Sequence, residues 1–312
     1  MTQKRIMQNN ISRRTFIASA AALAVAPQLA RAAAEPFRLH YILSTPMYGR
    51  MDLAVILPEV RKTGAEHVDI WPAVHGNQRE QVEAMGHERF ADLLREHDVK
   101  LGAITRYDLG PFGLQEEMAI CRKLGGSVLV TGSRGPKNLA GTALKAAMAA
   151  FVEQMKPHVE AAGRHDVTLA IENHGNALLS EPDSMRWFAE MTASEPRIGI
   201  AFAPHHLPQD AAMQAALIRE LGPKVVFFYA QQHGMGSKDK LPKEQELLQM
   251  PGRGALDFAP LVQALRDNRF GGFTSIYMHP VPRGVPILDT AGEITAEINR
   301  ARAYLDRCAA QG

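Results

Sequence analysis

Four groups of proton-handling or metal-ligating side chains mark the second half of this chain: Glu172-Asn173-His174, His205-His206, Gln231-Gln232-His233 and His279. Glu172 follows the apolar run Val167-Thr168-Leu169-Ala170-Ile171. A carboxylate in that setting faces partial burial, which is costly unless it meets a metal or hydrogen-bond donors. Glu172 therefore reads as a base or a ligand rather than as half of a structural ion pair. Histidine exchanges protons near neutral pH, which makes His206 and His279 its acid–base partners. An imidazole satisfied by ordinary hydrogen bonds is the plainer alternative for each. His174 and His205 adjoin these groups and either order them or contact a ligand, and His233 joins that binding set. Upstream, His40, Trp71 and Arg134 fall near the ends of other apolar runs. Trp71 offers a stacking face, with packing as the alternative. Arg134 and Arg283 could grip an anionic or hydroxylated ligand, or remain solvated.

These groups can meet only if the runs that carry them are parallel neighbours ending on one face. Eight short apolar runs occur: Phe37–Leu43, His67–Trp71, Val99–Ile104, Ser127–Thr131, Val167–Glu172, Ile198–Phe202, Lys224–Ala230 and Gly272–Met278. Longer amphipathic segments alternate with them: Asp52–Lys62, Arg79–His97, Leu114–Leu124, Thr142–His165, Pro182–Met191, Asp210–Leu221, Phe258–Asn268 and Thr290–Ala309. Many of these segments stop at Gly or Asp just before the next run, as at Gly64, Asp98, Gly125, Asp166 and Gly222. Eight strand-then-helix units argue for parallel pairing with right-handed crossovers, and eight closes a (β/α)8 TIM barrel. An open doubly wound sheet would carry a Gly-rich loop after its first strand, where this chain reads Ser44-Thr45-Pro46-Met47-Tyr48-Gly49. In a barrel, chemistry belongs at the carboxyl ends of the strands.

The first residues have another character. Residues 1–32 hold Lys4, Arg5, Arg13, Arg14 and Arg31 and no acid, then an alanine-rich apolar run, then Ala30-Arg31-Ala32. That order is a secretory leader, and Ser12-Arg13-Arg14-Thr15-Phe16 resembles a twin-arginine export signal. Its apolar run is short for a bilayer span, so no permanent membrane anchor is expected. The expectation is a periplasmic protein handed to the twin-arginine export machinery, with residues 33–312 as one barrel domain. Removing five positive charges from a formal +2 leaves −3, a poor footprint for nucleic acid. Two cysteines in 312 residues rule out a disulfide scaffold.

From Phe37 to Leu305 the chain resembles the xylose isomerase-like barrel superfamily, the sugar phosphate isomerase/epimerase group. The resemblance is carried by Lys62-Thr63-Gly64-Ala65-Glu66-His67-Val68-Asp69-Ile70-Trp71, Leu169-Ala170-Ile171-Glu172-Asn173-His174, Ile198 through Leu207, and Pro251-Gly252-Arg253-Gly254-Ala255-Leu256-Asp257-Phe258. It implies a divalent metal (Mn, Zn, Mg or Co) held by Glu, Asp, His and Glu ending strands five to eight. Glu172 matches the first; Ala203 stands at the Asp position, Tyr229 near the His and Tyr277 near the final Glu, while His206 keeps the histidine of the Asp-x-x-His pattern. The ligand set that remains to be weighed is Glu172, His206, Gln231 or Gln232, and His279, against a metal-free pocket. The resemblance implies a small carbohydrate substrate and metal-assisted proton transfer beside a carbonyl. Elimination or hydrolysis of an oxidised (3-keto) glycoside, and a non-catalytic periplasmic sugar-binding barrel, are the alternatives. Self-association is left open.

Overall fold

The computed structural model describes residues 37–234 and 239–311; residues 1–32, where an export signal is expected, lie outside them. Eight strands form one closed sheet in sequence order. They are β1 (His40–Ser44), β2 (His67–Ile70), β3 (Lys100–Thr105), β4 (Val128–Gly132), β5 (Thr168–Glu172), β6 (Ile198–Phe202), β7 (Val225–Ala230) and β8 (Phe273–Ile276). Every neighbouring pair is parallel, and β1 closes the ring against β8 with His40 opposite Phe273. This is the barrel that the eight repeated units predict.

The strands are mostly apolar because a parallel sheet is covered on one face by helices and filled on the other by its own side chains. Gly102 shows how tightly the amino-terminal end is plugged. A Cβ on Gly102 would lie 2.7 Å from Ile42 Cδ1 and 3.1 Å from Phe273 Cζ, so only glycine leaves room for those two side chains. Helices bury one stripe each, as His87–Glu96 buries Phe90, Leu93 and Leu94. Their ends are set locally: Asp210 accepts from Met213 N, and Thr290 with Glu293 forms a reciprocal cap. Before the strands the chain turns through left-handed residues, Gly64 and Gly125 among them, with Asp98 and Asp166 in the same role.

One segment departs from the sequence reading. Arg79–His97 is two helices, Gln78–Met85 and His87–Glu96, because Gly86 at φ 82° breaks the ladder between them. After β7 the charged stretch ends in a helical turn, Lys243–Glu246, in which Glu246 is buried against Lys243 Nζ at 2.6 Å. Leu247–Gln249 follows as a single 3-10 turn and leads the chain back over the mouth of the barrel. No helix among the described residues is long and apolar enough to cross a membrane.

Candidate active site

A cavity of about 290 Å³ opens at the carboxyl ends of the strands, the end at which barrel chemistry is done. Its deep wall is aromatic. Trp71, one residue past β2, stacks on Tyr277, one residue past β8, with centroids 5.1 Å apart and planes at 22°. Tyr107 and Tyr229 meet the same indole edge-on at 5.4 and 6.5 Å, the offset arrangement that ring quadrupoles favour. The Tyr107 and Tyr229 hydroxyls lie 3.4 Å apart, and the Tyr277 hydroxyl lies 3.3 Å from His279 Nδ1. Arg106, next to Tyr107 in sequence, enters a buried charge network. Glu117 accepts two bonds from Arg79, at 3.0 and 2.9 Å, and a further one from Arg106.

Glu172 ends β5 and reaches the cavity with 4% of its surface exposed. Burial pushes its carboxyl above the usual range, opposed by the charge of His174 and a hydrogen bond from Tyr107. Neighbouring β6 pairs with β5 through Ala201 opposite Glu172, and the turn after β6 carries His205 and His206. Their rings are 3.9 Å apart, and His174 lies 4.0 Å from His206. His206 Nε2 stands 3.9 Å from Glu172 Oε1. Burial drives the His206 pKa down to about 3, with His174, His233 and Arg283 adding repulsion. His205 and His279 are also pushed well below the ordinary value, burial first and neighbouring charges second. His75, edge-on to Trp71, falls to about 4. These imidazoles are neutral at pH 7, so the approach of His206 to Glu172 is not an ion pair. It is a pair of ligand or proton acceptors held side by side.

A divalent cation fits this arrangement. Ligand atoms of Glu172, His205 and His206 all lie within 4.8 Å of one another. Both ring nitrogens of His205 and Nε2 of His206 are buried without a protein partner, and orphaned buried polar atoms need one. Two neutral imidazoles and a carboxylate are the donor set of borderline cations such as Zn or Co.

Trp71, Arg134, Glu172, His174 and His279 line the cavity as the sequence suggests, and His205 and His206 flank Glu172. The Arg283 guanidinium donates to Pro280 O at 2.9 Å, and its charge is felt by His75, His205, His206 and His279. His233 is exposed, close enough for its charge to act on His205 and His206. His40 is a correction. It begins β1 instead of ending it, so it sits exposed at the opposite end of the barrel. Gln232 is a second correction. Its Nε2 donates to Met250 O and its Oε1 accepts from Leu256 N, both bonds spent on backbone. His279 takes no place in the carboxylate–imidazole trio: its ring is 6.0 Å from that of His205 and its Nδ1 faces Tyr277. Gln231 gives Nε2 to Gln249 and keeps a buried Oε1 with no bond.

Residues the sequence reading passed over are Asp69, His75 and Gln249. Gln249 donates to His279 O and accepts from His279 N and Gln231 Nε2, pinning the end of β8. Asp69 carried the same signal as Glu172, a lone acid on an apolar strand.

An eight-stranded parallel barrel with a carboxylate, imidazoles and aromatic rings at its carboxyl end defines a barrel of the enzyme-bearing kind. The chain belongs to the xylose isomerase-like TIM barrel family, whose model matches residues 57–304. Among solved structures, the protein SMc04130 from Sinorhizobium meliloti 1021 is 18% identical at a TM-score of 0.65, covering 86% of this chain and 98% of that one. The IolI protein with a bound zinc atom is 16% identical at 0.63, with the same coverage of 86% and 98%. An L-ribulose 3-epimerase is 16% identical at 0.64, covering 88% and 95%. No curated protein matches the chain.

Proposed function

We propose that this protein is a carbohydrate-processing enzyme that removes a proton from a carbon next to a carbonyl, with Glu172 as the base. The observation that carries this reading is the placement of Glu172. It is a buried carboxylate whose proton affinity is raised, on the wall of a ring-lined cavity large enough for a small sugar. A base works best when its pKa approaches the working pH, and burial moves Glu172 in that direction. Trp71 and Tyr277 supply the apolar faces against which the C–H faces of a sugar pack. Arg134 and the hydroxyls of Tyr107 and Tyr229 supply polar contacts at the edges. The structural relatives include sugar 3-epimerases acting at that type of carbon and a probable 3-DHS dehydratase.

Glu172, His205 and His206 would hold a divalent cation, and such an ion, when bound, polarises a carbonyl oxygen and stabilises the charge that develops on it. A carboxylate has two oxygens, so Glu172 could help hold the cation with one and still take the proton with the other. His279, which lines the cavity, would receive or return a proton on the substrate's oxygen.

One observation favours a second reading, elimination or hydrolysis of a keto-glycoside. Glu172 is the one carboxylate among the residues lining the cavity, and elimination needs one strong base where epimerisation uses an acid–base group on each face. Product analysis by NMR with ketoses and with 3-keto-glycosides separates the two. A C3 epimer identifies an epimerase, and release of the aglycone identifies the lyase or hydrolase. A protein that binds these sugars and converts none is a binding barrel, and the reading fails.

We further infer export to the periplasm through the twin-arginine route, from Arg13-Arg14 and the apolar run behind them. Cell fractionation tests it: Arg13→Lys with Arg14→Lys retains the full-length chain in the cytoplasm, and unchanged export of that variant refutes it.

A further inference from the structure

We propose that Asp69 is the positioning residue of the aromatic wall, fixing the Trp71 indole so that it can act as the platform for a sugar ring. The inference rests on the reading of the cavity as a carbohydrate site, but its first test does not.

Asp69 lies on β2 with no exposed surface. Its carboxylate accepts from Ser44 Oγ at 2.9 Å, from Thr105 Oγ1 at 3.0 and 3.1 Å, and from the indole Nε1 of Trp71 at 2.5 Å. Ser44 shares a further hydrogen bond with Ser275 Oγ at 2.8 Å. Hydroxyls from β1 and β3 and the indole that follows β2 therefore converge on one acid, with β8 joined only through Ser44, and none of these contacts is a cation. A buried carboxylate without a counter-ion is an expensive choice for a fold. Its chemistry explains the choice. When ionised, the carboxylate only accepts, and each of the two hydroxyls and the indole then points a hydrogen at it. Ser44 then has its hydrogen committed to Asp69 and receives that of Ser275.

Trp71 is the element this network orients. Its ring is 2% exposed and lies at 22° to Tyr277. Rotation of the indole about its side-chain bonds would break that stack and swing the ring across the cavity. Alternation along the strand sends Asp69 and Trp71 to the same side, so the acid sits directly beneath the ring it anchors. Asp69 does not reach the cavity itself, being absent from its lining. Its influence passes through Trp71.

The chain has two tryptophans, so Trp187→Phe leaves Trp71 as the sole indole reporter in the full-length protein. The measurement is the Trp71 indole N–H resonance and its solvent exchange, followed by D-fructose affinity from Trp71 fluorescence. In the parent, the N–H is shifted downfield and protected. With Asp69→Leu it moves upfield and exchanges freely, D-fructose binding weakens about tenfold, the scale of one lost aromatic contact, and kcat changes far less than KM. Asp69→Asn keeps one acceptor and gives an intermediate result; it serves where the leucine variant does not fold. An unchanged resonance and exchange rate in either folded variant overturns the anchoring. A changed resonance with unaltered D-fructose affinity overturns the positioning role. A changed resonance supports the anchor even where D-fructose fails to quench Trp71 in the parent, and in that case it is the sugar reading that loses its support.

Discussion

Replacing Asp69 with Asn changes how stability depends on pH, and the size of the change follows from the site. Burial raises the Asp69 pKa from 3.8 to about 7, against opposing hydrogen bonds from Trp71, Ser44 and Thr105. The folded state thus keeps a proton that the unfolded chain releases at much lower pH. A raised carboxyl pKa contributes stability that is fully present below the unfolded value of 3.8 and is lost as pH rises to about 7. A gap of about three pH units at about 1.4 kcal/mol per unit amounts to about 4 kcal/mol. Urea unfolding of wild type and Asp69→Asn across pH 4 to 8 measures it. Wild type loses about 4 kcal/mol more than the variant over that window, because other groups, Glu172 included, titrate alike in both and cancel in the difference. Parallel stability curves would refute the idea that Asp69 carries the buried, cation-free charge described here.

Other perturbations have defined outcomes. Gln249→Leu removes both bonds to the His279 backbone and the partner of Gln231; it costs about 2–4 kcal/mol in denaturant unfolding and lowers activity through a misplaced His279. Glu117→Gln strips the charge shared by Arg79 and Arg106 beside Tyr107. It costs about 3–5 kcal/mol, the scale of one partner lost from a buried ion pair, read by thermal or urea unfolding. His205→Ala abolishes stoichiometric Zn or Co uptake measured by elemental analysis, whereas Gln232→Ala leaves the metal bound and lowers stability alone. His40→Ala, at the far end of the barrel, changes kcat/KM by less than twofold and stability by less than about 0.5 kcal/mol.

Much of the fold was legible because parallel strands buried on both sides must be apolar runs, and each was found within a few residues of its observed position. The closing of the ring followed from the number of units. The break at Gly86 was hidden because the apolar stripe resumes in phase across it. Site residues were legible where position along a strand decides their fate, as for Glu172 and Trp71. His40 failed that test because the first strand begins later than its apolar run, which turns a supposed strand end into a strand start. Gln232 and Gln249 were beyond reach for another reason. Their partners lie 18 to 30 residues away in sequence, and side-chain-to-backbone bonds across a returning loop leave no local pattern. Of the three residues that could hold a cation, Glu172 and His206 stood in the ligand set drawn from the sequence and His205 did not. A 3-10 turn over Pro204–His206 brings the two neighbouring rings to one side, which a two-residue strand alternation would have set apart.

Solvent deuterium wash-in tests the role of Glu172 most directly. Wild-type protein incubated in deuterated buffer with candidate ketoses and keto-glycosides is followed by proton NMR at the carbon next to the carbonyl. The account predicts exchange at that carbon in wild type and its loss by about 10²- to 10⁴-fold in Glu172→Gln, with the variant still folded and still binding the sugar. Exchange that persists at the wild-type rate in Glu172→Gln would contradict it.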